Sequence, residues 1–354
     1  MVVVAEASGS PGQSTADDGP PAVLLEASYA HLRDRGLAAS DATPAWRLLG
    51  GGVSNWVILF DCGEGVVVKA ALPRLRVRDE WLADPSRAVL EGRAMAALGA
   101  RLPAGDLPRV LFIDEVRHCV GMTCAPAGAY PWKEALLRGE VDTHVAHQVG
   151  ALLGRLHAAA WGDADLARQF DDLALFQQLR LDPYHERAAQ VAEERGDEAV
   201  AALLRTGAAE MTRDRVTLVH GDFSPKNLLV HASGVMALDF EVVHWGNPGF
   251  DTAFLLTHLT LKTAHRPALA PAYGNAARIF LEAYTETLDR RAADEVASGA
   301  LRQAGCLLVA RVDGKSPAEY LDAAGRARAR ALGVAILRGT IRAVPEVFST
   351  VQAL

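Results

Sequence analysis

Cysteine is scarce. The four present (Cys62, Cys119, Cys124 and Cys306) are scattered through 354 residues, with no CxxC pair and no His/Cys spacing suited to zinc. A disulfide framework and a structural zinc site are thereby excluded, and a reduced, cytoplasmic protein is expected. Basic excess is also missing. A formal net charge of −7 offers nothing to neutralise phosphates, which argues against nucleic acid or an anionic membrane as partner. No apolar run approaches the roughly 18 residues of a membrane span. The N-terminal MVVVAEASGSPGQSTADDGPP has a short apolar start and no basic flank, so a secretory signal is not expected. Its Gly, Ser, Pro and Asp content reads as a disordered tail over residues 1–21. No internal repeat is present.

Half of the residues are apolar, enough for a sizeable core, and the length suits two lobes. After the tail, residues 22–37 have helical spacing. Trp46 to Leu49 reads as a short strand that runs into the Gly-rich turn Gly50-Gly51-Gly52-Val53-Ser54-Asn55. WVILFD and VVVK, joined by CGEG, read as a hairpin. Residues 85–98 read as a helix, and RVLFID and CVGMTC as two further strands. From APAG (Ala125 to Gly128) onward the pattern is mostly helical. It includes an amphipathic helix over 145–160 and a polar helical region over 163–215 with 12 acids against 7 arginines. Near the C-terminus, Gly314 can close one helix, and Ser316-Pro317-Ala318-Glu319 reads as a capping box that opens the next. Strands first and helices after indicate an α+β chain. Residues 22–122 form a small β-rich lobe and residues 123–354 a large, mainly α-helical one.

One stretch departs from this scheme. LVHGDFSPKNLLVHASGVMALDFE, from Leu218 to Glu241, places three acids, an amide and a lysine between β-rich flanks. Asp222, Asn227 and Asp239 fall at strand ends and in a loop, where they can converge. Their oxygens are the hard donors that Mg²⁺ prefers, and Mg²⁺ needs only one or two carboxylates besides phosphate oxygens.

HGDxxxxN followed by DFE, with a Gly-rich turn and a strand lysine upstream, resembles the aminoglycoside phosphotransferase/choline kinase superfamily, small-molecule kinases of protein-kinase-like fold. The resemblance covers residues 46–259. It implies a two-lobed fold with nucleotide between the lobes, and ATP-dependent, Mg²⁺-requiring transfer of a phosphoryl group to a hydroxyl of a small molecule: an aminoglycoside, an amino alcohol or a sugar-like metabolite. Transferred by position, Asp222 matches the catalytic aspartate that accepts the substrate hydroxyl proton, and Asn227 and Asp239 match the two metal ligands. Lys69 stands where the phosphate-contacting lysine belongs, with Glu91 as its ion-pair partner. Gly50, Gly51, Gly52 and Ser54 would let backbone N–H groups approach the phosphates, and Thr123 and Ala125 would meet the adenine edge at a hinge.

Ser224 replaces the lysine that protein kinases carry two residues after the aspartate. The twelve-residue step from Asp239 to Asp251 leaves no room for an activation segment. Both point to the small-molecule branch. A pseudokinase-like nucleotide-binding regulator is the alternative, and the intact Lys69, Asp222, Asn227 and Asp239 argue against it. His220 reads as structural, holding the loop by hydrogen bonds, and Asp251 as a residue that either caps the following helix or braces the catalytic loop. His157 reads as core or its immediate surround. Lys226 and Glu241 are open between structural and substrate or metal roles, and Arg311, Asp313 and Lys315 are candidates for the substrate cleft. The acidic balance of residues 163–215 is open between attraction of a cationic substrate and a solvated face.

Overall fold

Alternation along β-strands decides how the N-terminal lobe is layered. In the computed structural model, which describes residues 19–41, 43–50, 54–76, 82–288 and 290–351, five strands form an antiparallel sheet. They are β1 (Trp46–Leu48), β2 (Asn55–Phe60), β3 (Val66–Ala71), β4 (Val110–Asp114) and β5 (Cys119–Thr123), in the order β1-β2-β3-β5-β4. Trp56, Ile58 and Phe60 of β2 and Val66, Val68 and Ala70 of β3 turn to one face. There they bury Leu24 and Leu32 of α1 (Ala22–Asp34). The period of two sends Val67 and Lys69 to the opposite face, where α2 (Arg87–Gly99) packs. A strand covered on both faces reads as the unbroken apolar run VVV. Gly92 permits the close approach of α2. A Cβ there would meet Ile113 Cγ1 at 2.9 Å and Val120 Cγ2 at 3.0 Å, so the helix would have to move away and take Glu91 with it.

The C-terminal lobe begins with β6 (Tyr130–Pro131), α3 (Trp132–Arg138) and α4 (Thr143–Ala160), the last capped by Asp142 through the His144 N–H. Its centre is the helix Gly249–His265, buried along its length except at His258 and His265. The helices Ala270–Thr285, Arg290–Asp313 and Ala323–Leu337 surround it. Two small sheets carry the polar stretch: β7 (Thr217–Val219) paired with β10 (His244–Gly246), and β8 (Leu228–His231) between β6 and β9 (Gly234–Ala237).

The α+β, two-lobed arrangement and most elements agree with the sequence reading. Three features differ. The expected capping box does not open a helix: Arg311 binds the carbonyl and hydroxyl of Ser316, and the next helix starts at Ala323 with Asp322 as its cap. The polar helical region contains a π-helix over Gln177–Glu186 with Pro183 inside it. Pro183 lacks an N–H, and its own carbonyl accepts from the Lys315 N–H at 2.9 Å. β10 is a strand that a three-residue run could not announce. The tail expected over 1–21 lies outside the described residues as far as residue 18.

Two buried imidazoles set a pH limit on this lobe. Burial lowers His185 and His244 from 6.5 to about 4. Both are neutral in the folded chain and protonate more readily when it unfolds, so the stability they allow is present above pH 6.5 and is lost as pH falls toward 4. Unfolding by urea at pH 7 and pH 5 is expected to show a loss of about 2 kcal/mol per histidine, with a smaller loss in His185→Gln.

Candidate active site

The cleft between the lobes is crossed by a buried cation. Lys69 Nζ lies 3.0 and 2.7 Å from the two carboxylate oxygens of Glu91 on α2 and also binds Asp239 of the C-terminal lobe. Such partners offset the cost of desolvating an ammonium. Burial works against its charge, but Asp239, Glu91 and Glu241 outweigh it and hold Lys69 protonated. Burial pushes the Glu91 carboxyl up to about 7 against the pull of Lys69. Glu91 also accepts the Phe240 N–H at 3.1 Å, which ties α2 to the residue after Asp239. Asp239 has a left-handed φ of 73°, an uncommon conformation for a residue with a side chain and one that gathers at functional sites.

The turn that carries Asp222 is built from backbone outward. Gly221 has a φ of +76°, and a Cβ there would stand 2.6 Å from the Val242 carbonyl oxygen, so only glycine fits. Asp251 accepts the N–H groups of His220 (2.6 Å) and Gly221 (2.9 Å) and contacts His157 Nε2 at 3.2 Å. It braces the loop; its carboxylate is not the cap of its own helix. His220 donates from Nε2 to the Leu238 carbonyl and accepts the Asp222 N–H on Nδ1 at 3.1 Å. These bonds define a neutral imidazole, and burial holds its pKa down.

Asp222 itself is 4% exposed. Its Oδ2 is crowded: Asn227 Nδ2 at 3.0 Å, Lys226 Nζ at 2.9 Å and Arg180 at 3.2 Å all converge there. Burial raises this carboxyl, but Lys226 and Arg180 more than offset that and keep it below the ordinary carboxylate range. Among the described residues no hydrogen bond or ion pair takes its Oδ1. Because Asn227 spends its Nδ2 on Asp222, its Oδ1 is the atom left to offer a cation. With one Asp239 carboxylate oxygen on Lys69, the donors remaining are oxygens only. Among the described residues no cluster of three His, Cys, Asp or Glu is placed to hold a metal. The set therefore suits a Mg²⁺ ion that takes its other ligands from phosphate and water.

Beside Asp222 lies a cavity of about 280 Å³, lined by Arg180, Tyr184, Lys226, Glu241 and Arg311 among others. Glu241 is an interlobe clamp. It accepts from Ser54 Oγ (3.1 Å) and Asn55 Nδ2 (3.0 Å) at the end of the Gly-rich turn, and from Arg87 Nε (3.2 Å). Ser54 thus has its hydroxyl committed to Glu241. Gly50 is exposed, while Gly51 and Gly52 lie outside the described residues. Thr123 ends β5 with its N–H donated to the Arg109 carbonyl at 3.0 Å, and Ala125 is half-buried in the connector. Two expected cleft residues are elsewhere. Asp313 is buried between Arg195 and Arg330, 2.8 Å from each, and Lys315 is exposed; neither lines the cavity.

Sequence reasoning missed Arg180, Tyr184 and Arg87. Arg180 and Tyr184 sit in the π-helix, where they looked like members of a solvated polar helix; Pro183 between them was the available signal. Arg87 is fully buried and donates to carbonyls of Ala83, Asp84, Ser54 and Leu72 as well as to Glu241.

Over residues 45–295 the chain matches the model of the phosphotransferase enzyme family. The chain belongs to that family, and it is a small-molecule kinase. Among curated relatives, the methylthioribose kinase of Bacillus velezensis is 24% identical over 343 residues, 84% of this chain and 86% of that protein. The Cronobacter sakazakii methylthioribose kinase is 26% identical over 257 residues, 66% of this chain and 64% of that protein. Among solved structures, choline kinase from Cryptosporidium parvum superposes with a TM-score of 0.55 at 12% identity, covering 91% of this chain and 99% of that one. An amicoumacin kinase in complex with AMP-PNP and Ca²⁺ superposes at 0.52 with 17% identity, covering 90% and 97%. These likenesses establish the kinase-like fold.

Arg87→Met is expected to destabilise the kinase by about 3–5 kcal/mol, since it strips the buried Glu241 of its cation and four carbonyls of their donor. Urea midpoints of the variant and the parent at pH 7 check this.

Proposed function

We propose that this kinase transfers the γ-phosphoryl group of ATP, with Mg²⁺, to a hydroxyl of a small molecule seated in the cavity beside Asp222. The observation that carries the reading is Asp222 itself. Its Oδ2 is held by three donors, among the described residues no hydrogen bond or ion pair takes its Oδ1, and the residue lines the cavity.

Little covalent help is available in phosphoryl transfer, so positioning and charge neutralisation do the work. Asp222 orients the acceptor hydroxyl through Oδ1 and takes its proton as the new P–O bond forms. Because Lys226 and Arg180 keep the carboxylate a weak base, that proton moves late, and orientation is its main contribution. Lys69, aligned by Glu91, contacts the phosphates. Asn227 and Asp239 would hold Mg²⁺, which supplies positive charge along the triphosphate. Ala125 and the Thr123 carbonyl offer backbone groups to the adenine edge. An intact set of these residues favours catalysis over nucleotide sensing alone.

The test is ADP release and a mass gain of one phosphoryl group across a panel of hydroxylated metabolites. Asp222→Asn is expected to lower kcat about 10²–10⁴-fold with the KM for ATP unchanged. Unchanged turnover in that variant overturns the role of Asp222. EDTA is expected to abolish turnover, and added Mg²⁺ to restore it.

A further inference from the structure

The two ends of the acceptor cavity differ in how their charges are neutralised. At the Asp222 end, Lys226 and Arg180 are both paired with the carboxylate. Away from it, the helix Gly249–His265 presents Phe254, His258 and Lys262 to the cavity. Spaced four residues apart, they share one face. Phe254 lies against Arg180, 5.9 Å from its guanidinium to the ring, and Lys262 is two turns further on, about 12 Å along the axis.

Lys262 is 1% exposed, yet among the described residues no carboxylate pairs with it. Its ammonium has only the His258 carbonyl at 3.3 Å and the Tyr320 ring, 5.5 Å to the centroid. Arg311, also lining the cavity, binds Ser316 and reaches Tyr184 Oη at 3.5 Å, but among the described residues it forms no ion pair and its buried Nε has no partner. The Tyr320 hydroxyl is likewise buried and unpartnered. Lys133 contributes a further cation to the wall. Glu319 is the acid at this end, and it is exposed and pairs with neither Lys262 nor Arg311. Buried cations and donors without partners are costly, and a folded protein keeps such an arrangement where a ligand completes it. The crowding is visible in Lys262: burial, then the charges of Lys133 and Arg311, lower its amine to about 7, and His258 is pushed down by burial and then by Lys262, Arg311, Lys226 and Lys133.

We propose that the acceptor is an anion, a hydroxylated small molecule whose carboxylate or phosphate is held by Lys262, Arg311 and the Tyr320 hydroxyl while its hydroxyl reaches Asp222. The inference rests on the kinase reading for the hydroxyl end only. It opposes a polycationic acceptor, since the acids over residues 163–215 do not enter this end of the cavity.

The test is calorimetric titration of the full chain with four probes: D-gluconate, D-glucitol 6-phosphate, D-glucitol and kanamycin. At least one of the two anions is expected to bind tenfold or more tightly than D-glucitol, and the stronger of them identifies carboxylate or phosphate as the group recognised. Lys262→Met and Arg311→Met are each expected to remove most of that preference, with circular dichroism reporting that the variants are folded. The proposal is overturned if neither anion exceeds D-glucitol tenfold, if kanamycin binds more tightly than both anions, or if the preference survives both substitutions. Loss of ATP turnover with every acceptor would remove the kinase reading and leave the titration standing.

Discussion

A buried ammonium must keep its counter-ions, and in this kinase they belong to different lobes. Lys69 comes from β3, Glu91 from α2 and Asp239 from the loop after β9. Any movement that separates the lobes strips Lys69 of Asp239 and leaves desolvated charge behind. The requirement reaches outward. Gly92 must be small so that α2 can press on the sheet and bring Glu91 to Lys69. Phe240 donates its N–H to the same Glu91, next to Asp239 with its left-handed φ. Glu241 then takes Ser54, Asn55 and Arg87, a second crossing of the cleft.

The catalytic loop solves a related problem on the other side of the cleft. Asp222 must remain ionised in a buried position and keep one oxygen free. Three donors on Oδ2 achieve both, because they stabilise the anion and fix its orientation. The loop that carries it is held from beneath by Asp251 and His220, neither of which has a partner to spare for substrate. Orientation here comes from hydrogen bonds to backbone N–H groups, which cannot rotate away as side chains can.

Much of the fold and of the phosphate-side machinery was legible in the sequence. Lys69 falls at a strand position of fixed parity, Glu91 lies on a helix, and Asp222, Asn227 and Asp239 stand at short, fixed spacings around two strands. Local geometry carries Asp222, Asn227 and Asp239, so their spacing brings them close, whereas Lys69 and Glu91 meet Asp239 only through packing. The capping box at Ser316 shows where this reasoning stops. The local pattern was sound, but Arg311, a residue of the preceding helix, captured Ser316 and the helix began at Ala323 instead. Asp313 went the same way, drawn off by Arg195 and Arg330.

The sequence by itself determined the lobes, the parity of the strand lysine and the gathering of the oxygen donors Asp222, Asn227 and Asp239, because each follows from short-range periodicity or turn geometry. Only the tertiary structure decided the role of Glu241, the place of Arg180 and the charge of the acceptor cavity. Arg180 arrives from a π-helix, Lys262 from the central helix and Arg311 from a third. Whether such cations meet acids, solvent or one another depends on how distant segments pack, and neither the net charge of −7 nor the acidic run over residues 163–215 could reveal it. Electrostatics in a cavity is set by the few groups that face it at low dielectric, and composition averages those groups away.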